Sequence, residues 1–373
     1  MSVRALWCGI SIATALIASE SRADDSDIVA AKFGARQANS DASLSPDGTK
    51  AVLVSSRLDG GESASVVTFD GGKIVPVLST KSSGPHITYC QFVLADRVVC
   101  NLYQIEGEDR DASGSTRMVS IAVDGSDVKM LSAPTRGSAY FHSSYGGGII
   151  DYNVPTKPNA VLMTRYNSVE MRTGTLLSSH STGYMVEAVD LVSLKRSQVE
   201  LPRQTASEYI TDGIGHVRIM ALQPYSEAGY AKQFVNYQYR PVDGGGWQPL
   251  GRVSFDGGLA EGFEPIAVDP TTNSAIGFDN SNGRIGLYAR ALDGTGTQRL
   301  LLGRPDVDVD ALLRIGRNQR IVGASFATEH RIAEYFDPEL RRLASPGHCD
   351  VLFRRVPRSI SLMPVLMRVS CCC

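Results

Sequence analysis

The chain has almost no charge bias: 37 Lys and Arg stand against 39 Asp and Glu, a formal net charge of −2. No global field therefore draws it to nucleic acid or to an anionic membrane surface. Hydrophobic runs are short. Ala5 to Ala18 is apolar but falls below the about 20 residues that a hydrocarbon core of about 30 Å requires. There is no Cys-x-x-Cys pair. The six histidines (His86, His142, His180, His216, His330 and His348) have no metal-ligand partner at helical or turn spacing. A Gly-x-Ser-x-Gly nucleophile turn is missing too. The nearest strings, Gly61-Glu62-Ser63-Ala64-Ser65 and Gly9-Ile10-Ser11-Ile12-Ala13, lack the second Gly. Gly146-Gly147-Gly148 and Gly244-Gly245-Gly246 lack the Lys-Ser or Lys-Thr of a phosphate loop, so they read as turns. Asp306, Asp308 and Asp310 begin with EF-hand spacing, but Ala311 and Arg317 stand where that loop needs Gly and Glu. That segment reads as a strand with one acidic face, and Glu106-Gly107-Glu108-Asp109-Arg110-Asp111 as a solvated loop. No catalytic, cofactor-binding or metal-binding residue is nominated.

What is present begins with an export signal. Arg4 supplies a positive charge, Ala5 to Ala18 the apolar segment, and Ser21-Arg22-Ala23 the small residues a signal peptidase reads. Residues 1–23 are expected to be removed, which places the chain in the periplasm or outside the cell, with no membrane contact afterwards. Cys8 lies within the apolar run, which argues against a lipid anchor. Residues 24–38 form a short segment with a possible helix from Asp27 to Phe33, capped by Ser26 and stopped by Gly34.

Glycine is abundant, at 36 residues, and it falls where strands must turn. Leu44-Ser45-Pro46-Asp47-Gly48-Thr49-Lys50 is a turn with a mechanism: Pro presets φ and Gly accepts positive φ. Ala51-Val52-Leu53-Val54 follows as a buried strand. A second unit recurs as strand, Asp-centred turn, strand. Its aspartates are Asp70, Asp124, Asp190, Asp243, Asp293 and Asp337, separated by 54, 66, 53, 50 and 44 residues. In the last unit Tyr335-Phe336-Asp337 is expected to lead into a strand containing Leu340 and Leu343. Such hairpins at this spacing fit propeller blades of four strands. A solenoid would need shorter, stacked repeats, and a sandwich pair remains the other all-β arrangement. The expectation is an all-β chain: a β-propeller of about six blades over residues 39–348. Cys90 and Cys100 flank Ala95-Asp96, so in an oxidising compartment they can pair across a hairpin; the alternative is two unpaired core cysteines.

An exported chain with Phe33-Gly34-Ala35-Arg36, then Leu44-Ser45-Pro46-Asp47-Gly48, a Cys90…Cys100 hairpin and repeated Asp-Gly hairpins resembles the N-terminal propeller of prolyl oligopeptidase (S9) family serine peptidases. Ser-Pro-Asp-Gly also occurs in periplasmic propellers related to TolB. The first resemblance implies a ring of seven or eight blades that gates access of peptides to an α/β-hydrolase domain bearing the triad. That domain is expected as a partner and is not in the chain, so this portion is expected to be inactive alone and incomplete as a ring. The second implies a stand-alone binding or scaffold protein with a peptide or protein ligand. A propeller enzyme with its own site is the third class, and no rim residues nominate it.

Residues 349–373 change character, with four Cys, four Arg and no Gly. Back-translated with GC-rich codons and shifted by one nucleotide, Met363 to Cys373 reads as turn residues, a basic pair and three leucines, much like Pro46 to Leu53. The tail is therefore expected to be a frameshift product that contributes no structure. A chain ending at His348 should melt within about a degree of the full chain. A drop of several degrees, about 1–2 kcal/mol for a domain of this size, would make the tail a structural element.

Overall fold

The computed structural model describes residues 34, 36–107, 112–133, 144–168, 181–255, 260–280 and 283–344. The export signal, the possible helix at Asp27 to Phe33 and the tail lie outside these residues, as do His142, His180 and His348. The described chain is nearly all β and forms a six-bladed β-propeller. Blade 1 is β1 (Asn39–Leu44), β2 (Lys50–Ser56), β3 (Glu62–Thr68) and β4 (Ile74–Ser79). Blade 2 is β5 (His86–Leu94), β6 (Arg97–Glu106), β7 (Ser113–Ala122) and β8 (Lys129–Met130). Blade 3 is β9 (Gly148–Asp151), β10 (Ala160–Asn167), β11 (Gly183–Asp190) and β12 (Arg196–Arg203). Blade 4 is β13 (Ala206–Thr211), β14 (Val217–Leu222), β15 (Phe234–Tyr239) and β16 (Gln248–Ser254). Blade 5 is β17 (Glu264–Asp269), β18 (Ser274–Asp279), β19 (Gly286–Ala291) and β20 (Gln298–Leu302). Blade 6 is β21 (Val309–Ile315), β22 (Arg320–Ala327) and β23 (Arg331–Tyr335). All pairings are antiparallel and sequential, and the first strand of each blade lies next to the axis.

The sequence-to-strand logic follows from burial. A middle strand has a neighbouring blade on each face, so it reads as a continuous apolar run. Ala51–Val54 of β2 and Ala160–Met163 of β10 are apolar and buried without interruption, and β14 is buried from Val217 to Ala221 around the one cation, Arg218. Outer strands such as β12 and β16 alternate and carry exposed residues. Five apolar clusters join consecutive blades. Val52 and Val66 meet Phe92 and Ile121 between blades 1 and 2, and Met118 and Leu131 meet Val161 and Val189 between blades 2 and 3. Leu162 and Val186 meet Val217 and Met220, Ile219 and Tyr237 meet Phe263 and Leu292, and Ile276 and Leu287 meet Ala324 and Phe326 at the next three seams. Among the described residues no such cluster joins blade 6 to blade 1.

The repeated aspartate units are the outermost hairpins of blades 1 to 5. Asp124 and Asp293 accept the backbone N–H two residues on, from Ser126 and Thr295, and Asp190 accepts from Val192 and Ser193. Each builds the turn with its own side chain. Ser45-Pro46-Asp47-Gly48 turns β1 into β2. The Asp47 carboxylate accepts from the Ser45 hydroxyl and from the Thr49 N–H and hydroxyl, which holds its pKa down at about 2.

The sixth unit corrects the expectation. Asp337 does not open a hairpin; it caps helix α1 (Pro338–Leu343), accepting from the Glu339 and Leu340 N–H groups. Pro338 sits at the first helical position, where its fixed φ suits a helix and its missing N–H costs nothing. Glu339 in the first turn and Arg341 and Arg342 in the last complement the helix dipole. Leu340 and Leu343 are therefore helical, and blade 6 has three strands among the described residues, five other blades having four.

Cys90 and Cys100 are directly opposed in the β5–β6 ladder, with Cα atoms 4.1 Å apart and their sulfurs bonded. Both are fully buried in the seam between blades 1 and 2. Chain-entropy arguments for so short a loop give about 2–3 kcal/mol. A Cys90→Ser/Cys100→Ser variant should melt several degrees below the parent under non-reducing conditions, and adding reductant should close the gap. Equal melting without reductant would show that the bond contributes nothing to this seam.

Candidate functional site

The six inner strands leave one backbone edge each facing the axis, and unpaired backbone groups away from water are costly. Side chains from the next strand meet part of this need. Asp41 and Ser43 of β1 accept the Cys90 and Phe92 N–H groups of β5 at 2.9 and 3.2 Å. Thr211 of β13 donates to the Ile150 carbonyl of β9 at 2.9 Å, and Arg314 of β21 donates to the Ile266 carbonyl of β17 at 2.9 Å. Further out, buried Glu62 of β3 accepts the Ile87 N–H of β5 and pairs with Arg36 at 2.5 Å. Burial pushes the Glu62 carboxyl up, but the Ile87, Arg36 and His86 bonds outweigh it and its pKa is lowered. Arg36 of the Phe33-Gly34-Ala35-Arg36 string thus fastens the start of the ring.

Two cavities occupy the axis. One, of about 640 Å³, is lined by β1 with Ser45, Pro46, Gln91 and Phe92, and by the β21–β22 turn. The other, of about 360 Å³, is lined by parts of β9, β13, β17 and β21. They meet at Tyr152, Arg317 and Gln319, which line both.

The β21–β22 turn separates them by leaning across the axis. Arg317 donates to the Tyr152 carbonyl at 2.7 Å, and Asn153 donates to the Asn318 side chain at 3.0 Å. A Cβ on Gly213 would stand 2.3 Å from the Asn318 carbonyl, so only glycine lets the turn seat there, at its φ of +73°. Blade 6 is thereby clasped to blades 3 and 4, on the far side of the ring. This clasp lies at the face where the first strand of each blade turns into the second.

The second cavity is charged. Asp151 is buried and accepts the Gly215 N–H at 2.9 Å and the Asn153 N–H at 2.9 Å; burial nevertheless raises its pKa. Glu208 of β13 is also raised, first by desolvation and then by repulsion from Glu264, with Arg314 opposing. Desolvation lowers the guanidinium pKa of Arg314 and Arg317, against the pull of Glu208 and Asp151 respectively. Burial likewise raises the phenols of Tyr89 and Tyr152 beside Asp41.

The acidic triplet does not form a strand face. Asp306 and Asp308 precede β21, and each member meets its own arginine: Arg304, Arg284 and Arg331 at 2.9, 3.9 and 2.6 Å. Of the histidines described, His86 meets Glu62 at 3.3 Å and His216 meets Asp212 at 3.0 Å, while His330 sits in the β22–β23 turn. The Glu106 loop is described only as far as Gly107. The Gly146 triplet is a connector entering blade 3, where a Cβ on Gly146 would stand 2.1 Å from the Thr116 carbonyl. Among the described residues no three His, Cys, Asp or Glu side chains converge on one point. Sequence reasoning missed Asp151, Glu208, Arg314 and Arg317. They come from distant segments, and no local pattern distinguishes them from surface charges.

No family model matches the chain, and no curated protein does. Solved structures do. An oligogalacturonate lyase from Vibrio parahaemolyticus is 11% identical over 70% of this chain and 69% of that one, with a TM-score of 0.45. The β-propeller domain of the Trilobed protease from Pyrococcus furiosus is 11% identical over 82% of this chain and 86% of that one, at 0.40. The acylaminoacyl peptidase of Pyrococcus horikoshii is 11% identical at 0.42; the match covers 82% of this chain and 47% of that one, so this chain spans about half of it.

The raised Glu208 carboxyl fixes a sign. A folded state that holds this proton tightly loses stability as pH climbs through and above the ordinary value of 4.5. Glu208→Gln should therefore melt above the parent at pH 7 to 8, and the gap should shrink as pH falls below 4.5. A melting curve unchanged or lowered at pH 8 would mean that the channel does not desolvate this group.

Proposed function

We propose that the chain is the non-catalytic propeller portion of an exported serine peptidase of the prolyl oligopeptidase kind, and that its axial channel admits extended peptides. One observation carries the reading: inner-strand edges surround two adjoining axial cavities, which suits a chain that can hydrogen-bond along its length. The residues behind the sequence resemblance have structural roles consistent with it. Ser45-Pro46-Asp47-Gly48 turns blade 1 and Cys90–Cys100 ties the two inner strands of blade 2 together. His86 and His216 each meet a carboxylate, and among the described residues no serine hydroxyl bonds either ring. A nucleophile would need such a base and an oxyanion hole. Bond cleavage is accordingly assigned to an α/β-hydrolase domain outside this chain. The disulfide and the signal-like N-terminus agree with a periplasmic or secreted location.

A second reading, a stand-alone binding propeller of the TolB kind, is favoured by the clasp. Arg317 and Asn318 place the β21–β22 turn across the axis at one face, which suits a propeller that holds a ligand rather than passing one through. Genomic sequence beyond codon 348 separates the two. A Gly-x-Ser-x-Gly codon string in another frame supports the peptidase reading, and a stop followed by an unrelated gene supports the second.

Under either reading the purified chain should neither cleave proline-containing peptides nor react with a fluorophosphonate probe. Stoichiometric labelling of any serine would overturn the non-catalytic assignment.

A further inference from the structure

The cavity between β9, β13, β17 and β21 holds two guanidiniums that, among the described residues, have no carboxylate at ion-pair distance. Arg314 donates one N–H to the Ile266 carbonyl and Arg317 one to the Tyr152 carbonyl, both neutral acceptors. Three arginines elsewhere in the blades differ. Arg97, Arg196 and Arg240 reach Asp127, Glu187 and Glu200 at 2.8, 2.8 and 2.6 Å. The acids that share the cavity, Glu208 and Asp151, act on the pair only from beyond ion-pair distance. Asp151 is met instead by the Asn153 and Gly215 N–H groups. Arg314 is exposed and Arg317 half-buried, so both can be reached from the cavity, and the planar fork of an arginine matches a carboxylate.

The surroundings narrow the class of anion. At about 360 Å³ the cavity is far larger than an inorganic ion needs, and Ile149, Ile266 and Val268 give it an apolar side. The first strands of four blades border it. The clasp crosses it at one end, where a chain entering from the other mouth would meet Arg317. We propose that this cavity takes the C-terminal carboxylate of an extended peptide, gripped by Arg314 and Arg317, with the last side chain against Ile149, Ile266 and Val268. The proposal rests on the peptide-channel reading above and adds polarity to it: the peptide enters carboxylate first.

The test uses a randomised hexapeptide pool carrying fluorescein at the N-terminus, in two forms, one with a free C-terminus and one amidated. Anisotropy with the full chain should show the acid form binding at least about tenfold tighter, a difference of about 1.4 kcal/mol. Arg314→Gln and Arg317→Gln should each bring that ratio close to one while leaving the far-ultraviolet spectrum and the Cys90–Cys100 bond intact. Arg317→Lys should restore part of it. Equal binding of both pools would overturn the carboxylate grip and leave the peptide channel standing. Failure of both pools to bind would remove the channel reading as well. Displacement of the acid pool by inorganic phosphate at equal concentration would make the cavity a general oxyanion site and overturn the assignment to a peptide terminus.

Discussion

A four-stranded sheet with two apolar faces must have both covered, and most features of this molecule descend from that requirement. Consecutive blades cover each other through five clusters of Val, Ile, Leu, Met and aromatic side chains. At roughly 25 cal/mol for each square ångström of apolar surface buried, such seams dominate the stability. Radial packing also turns every first strand inward, leaving backbone groups along the axis that side chains such as Asp41, Ser43, Thr211 and Arg314 partly satisfy. The channel is thus a by-product of how the faces are buried. Its polarity follows from the same backbone groups.

The two ends of the ring meet this requirement differently. Blade 1 is fastened early, by Arg36 on Glu62 and by Glu62 and Asp41 accepting the Ile87 and Cys90 N–H groups of blade 2. Blade 6 stacks on blade 5 through Ala324 and Phe326. It also bonds blade 5 through Arg314 on the Ile266 carbonyl. Among the described residues its bonds beyond blade 5 run across the axis, from Arg317 to the Tyr152 carbonyl and between Asn318 and Asn153. The outer strand β23 is almost wholly exposed, an edge of the kind that proteins usually pair or shield.

Much of the fold was legible because its signals are local. An Asp whose side chain closes its own turn needs only the next few residues, so the outer hairpins at Asp124, Asp190 and Asp293 could be read directly. Ser45-Pro46-Asp47-Gly48 and the Cys90 and Cys100 pair are local in the same sense. The sixth unit failed on one neighbour: Pro338 after Asp337 starts a helix, where Gly in four of the other units and Leu191 in the fifth start a hairpin. Attention to that single position would have found α1. The channel was not legible. Its inner strands are short, four residues in the case of Gly148–Asp151. Its charged groups lie far apart in the chain, and only blade closure brings Glu208 near Arg314 or Asn153 near Asn318.

Blade 6 is fastened across the axis to the opposite side of the ring. An Asn153→Cys/Asn318→Cys pair, oxidised mildly in the folded chain and mapped by mass spectrometry of tryptic peptides, probes that fastening. A disulfide between the peptides containing these two positions, formed rapidly and in high yield without loss of the Cys90–Cys100 bond, is the result this account predicts. If the new cysteines stay reduced while the chain remains folded, or if position 318 cross-links to blade 1, the clasp does not exist and the axial site must be redrawn.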